Sequence, residues 1–224
     1  MNALPGRLLC RQLINLTFMK PEEKAILKRF LPANSLDMVC ESIEKEHINL
    51  RITASRSTRL GDFRPPKQVG NPYRISLNHD LNPYQFLITF VHELAHLKVF
   101  QQYKSKVKAH GYEWKKWFQD LMSPYLEAAV FPVDLKNELI RYLSNPKAAS
   151  GSDLKLTRCL KQYDTKQRTN PTIEEIAIGT VFKIPNGRTF RKGEQVRKRY
   201  KCQCLQSKRW YLFNPIAEVL VVNQ

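Results

Sequence analysis

The pattern of hydrophobic and polar positions divides the chain into a helical part and a strand-rich part. From residue 21 to residue 143 the apolar residues recur mostly three and four positions apart, as in amphipathic helices. This spacing predicts five helices: one from Pro21 to just before Pro32, one capped by Asn34 or Ser35, one over about 82–102, one containing Trp114, Trp117, Phe118 and Leu121, and one over 134–143.

Two short segments among these helices alternate between apolar and polar residues instead. Residues 48–52 and 73–77 have this two-residue period and predict strands. The glycines and prolines of 61–72 predict a long loop or a hairpin arm between them. If 73–77 is an edge strand beside the longest helix, its backbone can hold an extended peptide by hydrogen bonds. An ordinary internal strand is the alternative.

The composition changes after residue 145. Residues 145–153 are small and polar and include proline and glycine, which predicts a linker over 146–156 between a domain over 19–145 and a domain over 157–224. The second domain should contain about five strands, with a hairpin turn at 185–187. These strands are predicted at 180–184, 189–191, 197–201, 210–213 and 219–222. We therefore predict an α+β fold, in which a helical domain with a small three-stranded sheet precedes a small β-domain.

The charge of the chain indicates a candidate binding partner. The chain carries a net charge of +17, and residues 180–210 contain ten basic residues and a single acid, Glu194. Cationic surfaces with interleaved aromatic residues suit single-stranded or distorted DNA. In the alternative interpretation the aromatic residues are core and the charges are a solvated face. The predicted nucleic-acid-binding residues are Arg188, Arg191, Lys192, Arg197, Lys198, Arg199, Lys201, Lys208, Arg209 and Trp210.

Cysteine usage and the lack of a targeting pattern indicate the compartment. The five cysteines have no spacing typical of a disulfide framework. The sequence shows no convincing signal peptide and no apolar run of membrane-spanning length, so we expect a cytoplasmic protein without a membrane partner. We interpret residues 1–18 as a non-native or disordered extension, because Met19 and the residues after it resemble the natural start of a protein.

The candidate chemistry lies on the longest predicted helix. Residues 92–96 read His-Glu-Leu-Ala-His, and residues four apart on a helix share one face, so His92 and His96 can bind one metal ion. Glu93 can reach a water on that metal without binding the metal itself. The helix is apolar almost all round, and burying these groups without a partner would be costly. This pattern predicts a zinc site.

A third ligand must come from elsewhere in the chain. The metzincin spacing would place glycine at position 99 and histidine at 102, but Val99 and Gln102 stand there, which excludes that class. His110 is favoured, because the polar, basic stretch before it can fold back toward the helix. Three histidines would leave the fourth zinc position open for water. Glu113 and Glu127 are the carboxylate alternatives. We predict one Zn²⁺ per chain.

The order of these residues resembles the SprT family, which includes the Spartan proteases. The motif at 92–96 is followed, about fourteen residues later, by His110-Gly111-x-x-Trp114, and the segments 57–63 and 73–78 also resemble the family. The resemblance covers roughly residues 34–125. It implies a zincin-like metalloprotease domain, three histidine ligands, a catalytic glutamate at Glu93, and substrates that are proteins bound to or crosslinked on DNA.

One family feature does not match this sequence. Some relatives end in a zinc ribbon, which needs four ligands, whereas this region offers Cys159, Cys202 and Cys204. We therefore expect a zinc metallopeptidase with a single zinc site, acting on proteins or peptides, with Glu93 as general base. The alternatives are a nucleic-acid-binding stress or regulatory protein with a non-proteolytic zinc site, and a metal-dependent hydrolase of other bonds.

Overall fold

The computed structural model describes residues 19–56, 58–147, 153–165 and 169–222. The chain divides into two compact units, Met1–Lys136 and Asn137–Gln224. The described residues combine helices with one three-stranded and one five-stranded sheet, which confirms the α+β class. The extension predicted over 1–18 lies outside the described residues.

The described part of the first unit begins with two short helices, continues through three strands and ends in long helices. Asn82 caps the third helix by accepting a hydrogen bond from the Gln85 N–H, as its sequence indicates. All five predicted helices are present. The elements are α1 (Pro21–Lys28), α2 (Leu36–Lys45), β1 (Ile48–Thr53), β2 (Gly61–Arg64), β3 (Tyr73–Asn78), α3 (Pro83–Tyr103) and α4 (Tyr112–Glu127), and α5 (Val133–Leu143) spans the division between the units.

The three strands form a sheet in the order β1-β3-β2. β3 is parallel to β1 and antiparallel to β2, with Gly61 opposite Leu77. Of the two alternatives for 73–77, the internal strand is therefore correct, because both of its edges are paired. The edge beside α3 belongs to β2, which is antiparallel to β3, so 61–64 is the hairpin arm that was one of the two alternatives for this segment. Pro65 ends this strand because proline has no backbone N–H to donate.

α3 is the central element of the first unit and packs against β2, β3 and α4. Phe86, Leu87, Phe90 and Leu97 are fully buried along it. Enclosure on several sides explains why this helix is apolar almost all round. It also fixes the side chains of α3 in place, which a functional site on this helix requires.

The second unit contains a helix and the five-stranded sheet. Its strands lie in the order β7-β6-β5-β4-β8 with antiparallel pairing throughout. All five predicted strands are present, although their bounds differ from the prediction. Arg197, in the turn between residues 196 and 199, adopts a φ of 56°. The elements are α6 (Leu154–Lys161), β4 (Val181–Lys183), β5 (Thr189–Val196), β6 (Arg199–Cys204), β7 (Trp210–Phe213) and β8 (Leu220–Val221).

Helix α6 was not predicted from the sequence, and its first residues overlap the end of the linker predicted over 146–156. Asp153 caps this helix by accepting a hydrogen bond from the Leu156 N–H, and Leu156 and Leu160 are buried. The aspartate at the end of the small polar stretch is thus a helix start rather than the end of a linker. The placing of the domain boundary at 146–156 stays a prediction.

The described residues bear on the membrane and disulfide expectations as well. No helix in the described ranges is long and apolar enough to cross a bilayer. Cys40, Cys159, Cys202 and Cys204 are all buried, and none of them is joined in a disulfide. No disulfide therefore contributes to the stability of this part of the chain.

Candidate metal centre

Three histidine side chains converge between α3 and α4. His92 and His96 lie one turn apart on α3, while His110 immediately precedes Gly111, the N-cap residue of α4. The chain turns back after α3 at Lys104, whose φ is 55°, and the Gly111 N–H closes a second turn by donating to the Lys108 carbonyl. These two turns carry His110 back to the α3 histidines.

The three Nε2 atoms form a nearly equilateral triangle. They are 3.3 Å apart between His92 and His96, 3.0 Å between His96 and His110, and 3.3 Å between His92 and His110. In a tetrahedral site with Zn–N bonds of about 2.0–2.1 Å, neighbouring ligand atoms lie about 3.3–3.4 Å apart. The three imidazoles therefore fit one face of a zinc tetrahedron.

Neither carboxylate alternative belongs to this cluster. Glu113 and Glu127 lie on α4, outside the group of converging ligand atoms. Cys159, Cys202 and Cys204 form no such group either. Within the described ranges, the group whose ligand atoms lie within 4.8 Å of one another is His92, His96 and His110.

Trp114 packs against all three imidazoles. Its ring centroid lies 4.7 Å from that of His92, 5.5 Å from His96 and 4.8 Å from His110. The indole is fully buried and stacks on Phe118 at 5.1 Å. Trp114 and Phe118 are therefore part of the core, whereas Trp117 is only partly buried. A buried indole between the rings limits their rotation and so fixes the directions of the Nε2 atoms.

Burial lowers the pKa values of the three histidines. Desolvation, followed by repulsion from the neighbouring imidazoles, lowers the pKa of His92 to about 3 and that of His96 to about 4. Desolvation also lowers the pKa of His110. The imidazoles of His92 and His96 are therefore neutral at pH 7, and neutral imidazole is the form that binds a metal ion.

Glu93 follows His92 on α3, and its side chain lies against β2. Its side chain is 7% exposed, and the Phe63 N–H donates a hydrogen bond to its carboxylate. Burial raises the pKa of Glu93 to about 8, and the negative charge of Asp62 acts in the same direction. Arg56 and Arg59 lower this pKa. The charge of a bound divalent cation would also lower it.

The family model of the SprT-like family matches residues 31–136. This part of the chain is a SprT-like domain. The match includes the three-stranded sheet, α3, α4 and all three histidines, and it confirms the resemblance inferred from the motif. No curated protein and no solved structure matches the chain.

Two residues at the site of the SprT-like domain escape prediction from the sequence. Phe63 contributes its backbone N–H to Glu93, and Gly61 lies directly against the same side chain. A contact made by a backbone group cannot be predicted from the type of the residue, because every residue except proline has the same backbone N–H. The available signal was the glycine itself, since a glycine within a strand often marks a close approach by another group.

Outside the SprT-like domain, two of the ten predicted nucleic-acid-binding residues contact their own unit instead of solvent. Lys192 is 4% exposed, and its ammonium donates to the Ile176 carbonyl at 2.6 Å and lies 4.1 Å from the Tyr200 ring centroid. Its assignment to a nucleic-acid interface is wrong, because alternation along β5 directs it into the core. Arg188 is half-buried, with its guanidinium 4.4 Å from the Tyr211 ring.

The other eight predicted residues are exposed. Arg191 lies opposite Gln203, which lies opposite Trp210, and directly paired residues share a face of the sheet. The same face carries residues that we name together the basic sheet face: Arg191, Arg199, Lys201, Trp210 and Leu212. The remaining residues lie in the loops that join β5 to β6 and β6 to β7: Arg197, Lys198, Lys208 and Arg209.

The aromatic residues among these charges divide between the two faces. Tyr200, Tyr211 and Phe213 pack against the core of the second unit, as the alternative interpretation expected. Trp210 is 53% exposed, and the Lys201 ammonium lies 4.9 Å from its ring centroid. The stacking interpretation therefore applies to Trp210 alone among these four.

Zinc binding by this site should resist acid better than binding by three ordinary histidines. We expect the Glu93→Gln variant, which lacks the titrating carboxyl, to lose no more than about tenfold in zinc affinity between pH 7 and pH 5.5. His92 and His96 stay neutral over this range, so at most one ligand takes up a proton. Three ordinary histidines would lose roughly several hundredfold. Competition with a calibrated chromophoric chelator measures the affinity.

The matched control for this experiment is His110→Ala, which should bind less than one zinc per chain under the same conditions. A several-hundredfold loss of affinity in Glu93→Gln would contradict the neutral, buried imidazoles described above.

Proposed function

We propose that this chain is a zinc-dependent metallopeptidase whose SprT-like domain is zincin-like. The observation that carries the proposal is the triangle of three imidazole Nε2 atoms with the Glu93 carboxylate on the adjacent position of α3. A structural zinc site is closed by four protein ligands, whereas three ligands are typical of catalytic sites. The match to the SprT-like family supports the same reading.

The residues of the chain divide the chemistry between them. His92, His96 and His110 would hold the zinc ion, which when bound lowers the pKa of water toward about 7 and polarises a carbonyl. Glu93 then acts as general base, accepting a proton from the attacking water, and as general acid, donating it to the leaving amine. Because the carboxylate packs against the backbone of β2, it is shielded from bulk water, which therefore does not compete for the transferred proton.

The open edge of β2 is the place where we expect the substrate. β2 pairs with β3 on one side only, and it lies against α3 next to Glu93. An extended peptide can add to an edge strand through backbone hydrogen bonds, which ignore side-chain identity. This role passes from 73–77, where the sequence suggested it, to the strand Gly61–Arg64.

Removing the general base should separate metal binding from catalysis. We expect Glu93→Gln to keep one zinc per chain and to cleave a denatured protein such as casein, or itself, roughly 100- to 10,000-fold more slowly than the unaltered chain. Zinc content is measured by elemental analysis and cleavage by gel electrophoresis, with and without single-stranded DNA.

Glu22→Gln is the matched control, because it makes the same substitution at an exposed carboxylate on α1. Cleavage at an unchanged rate in Glu93→Gln would refute the mechanism. A zinc-loaded unaltered chain that cleaves no protein would instead favour the non-proteolytic alternative.

We also propose that the second unit brings the peptidase to DNA, so that its substrates are DNA-associated proteins. The basic sheet face offers three cationic side chains for phosphates, Arg191, Arg199 and Lys201, beside an exposed indole on which a base can stack. The excess of ten basic residues over one acid in residues 180–210 favours a polyanion. Single-stranded or distorted DNA fits better than a duplex, because stacking requires an accessible base.

Charge reversal and removal of the indole should affect DNA binding differently. We expect Arg191→Glu/Arg199→Glu/Lys201→Glu to weaken binding of a labelled oligothymidylate at least about 100-fold and to reduce the slope of log K against log salt by roughly two. Trp210→Ala should weaken binding by roughly 5- to 100-fold with an unchanged salt slope. Fluorescence anisotropy at several salt concentrations measures both quantities.

The matched control reverses three exposed cations of the first unit, Lys28, Arg51 and Lys67, and so changes the net charge equally. Equal losses in this control would show that the overall charge, rather than the basic sheet face, determines binding. Full binding in the face variants would refute the proposed interface.

A further inference from the structure

β2 approaches α3 more closely at Gly61 than a residue with a side chain would allow. A Cβ atom at this position would lie 2.6 Å from Oε1 and 2.8 Å from Cγ of Glu93, and 2.8 Å from Cγ2 of Thr89. Glu93 and Thr89 are 7% and 5% exposed, so neither side chain can move into solvent. The φ of Gly61 lies outside the left-handed region, and the requirement for glycine is therefore steric.

The same strand contacts the Glu93 carboxylate a second time at Phe63. Phe63 is two residues beyond Gly61 on the same face of β2, and its N–H donates a hydrogen bond to the carboxylate. The Phe63 ring packs at 6.2 Å from Tyr73 and 6.0 Å from Phe100, which anchors this end of the strand. The Glu93 carboxylate thus lies against the backbone of Gly61 and accepts from the backbone N–H of Phe63, the next residue on the same face.

The loop ahead of β2 is fixed by Asn78, at the end of β3. Its side-chain amide donates to the carbonyls of Arg56 and Arg59 at 3.2 and 3.0 Å, and its oxygen accepts from the Arg56 Nε at 2.8 Å. Its backbone N–H donates to the Leu60 carbonyl at 3.0 Å. Asn78 is 1% exposed, so water does not compete for these bonds. The position of Leu60, the residue just before Gly61, is therefore determined by a partly buried hydrogen-bond network.

We propose that Gly61 is a positioning residue for Glu93. The backbone of Gly61 and the N–H of Phe63 form a cradle that holds the carboxylate in one orientation, and only glycine at position 61 leaves room for it. The inference rests on the proposed function for its effect on catalysis, because an oriented carboxylate transfers protons more efficiently than a mobile one. The cradle itself is a property of the folded chain without metal.

A purely structural role for Gly61 predicts different partners. If the glycine serves only to bring β2 close to α3, the contact that matters is the one with Thr89. Thr89→Ser separates the two cases, because it removes Cγ2 and keeps the hydroxyl that donates to the Gln85 carbonyl at 2.7 Å. Glu93→Ala removes the carboxylate and leaves Thr89 intact.

A double-mutant cycle on the metal-free, full-length chain tests the cradle without any assay of activity. We expect Gly61→Ala to lower the thermal midpoint by roughly 3–10 °C, because the added methyl overpacks a buried contact. In the Glu93→Ala background the same substitution should lower it by less than half as much. Gly70→Asn is the control for a glycine substitution without a steric contact, since nothing lies within 4 Å of a Cβ there; any backbone strain from its φ of 92° should lower the midpoint equally in both backgrounds.

Two results of this cycle would overturn the proposal. One is an effect of Gly61→Ala that is equal in the unaltered and Glu93→Ala backgrounds. The other is an effect that disappears in Thr89→Ser and persists in Glu93→Ala, which would assign the glycine to strand packing alone.

The zinc-loaded chain supplies the functional arm of the test. Gly61→Ala should retain one zinc per chain and lose roughly 10- to 100-fold in kcat on casein, while KM changes less than about threefold. Gly70→Asn should keep both constants. An unchanged kcat in Gly61→Ala would refute the positioning role. If the unaltered chain cleaves nothing, the proposed peptidase function fails, and the stability cycle still decides whether the cradle exists.

Discussion

The SprT-like domain has to accommodate three imidazoles and a carboxylate in an interior that is otherwise apolar. Burying such groups without partners costs several kcal/mol each. The chain reduces this cost by keeping the α3 imidazoles neutral, which their lowered pKa values show, and by giving the Glu93 carboxylate a backbone N–H. A cation among the three nitrogens would satisfy all of them at once. A bound metal ion would therefore give the buried imidazole nitrogens the partner that the apolar core does not supply.

Each element around the site positions some of these buried polar groups. α3 supplies two ligands and the carboxylate from a helix that is already enclosed, so their positions follow from the packing of the helix. α4 supplies Trp114, which packs against all three rings. β2 supplies backbone only. Sites on regular elements are held more accurately than sites on loops, and here the loop contribution is limited to His110, which two tight turns fix.

The sequence predicts what depends on local spacing and misses what depends on pairing between distant segments. The α3 ligands follow from helical periodicity, and His110 follows from its position after a chain that can fold back. The place of β3 in the sheet is different, because a strand does not show from its own residues whether one or both edges are paired. The burial of Lys192 is similar: alternation along β5 allows either face to be the core, and the charge of lysine favoured the wrong one.

A crystal structure of the zinc-loaded chain, with anomalous data collected across the zinc absorption edge, tests the central claim most directly. The account predicts one anomalous peak per chain, about 2.0–2.1 Å from the Nε2 atoms of His92, His96 and His110, with no protein atom in the fourth position. A peak coordinated by Glu93 or by a fourth protein ligand, or a peak at other residues, would contradict the account.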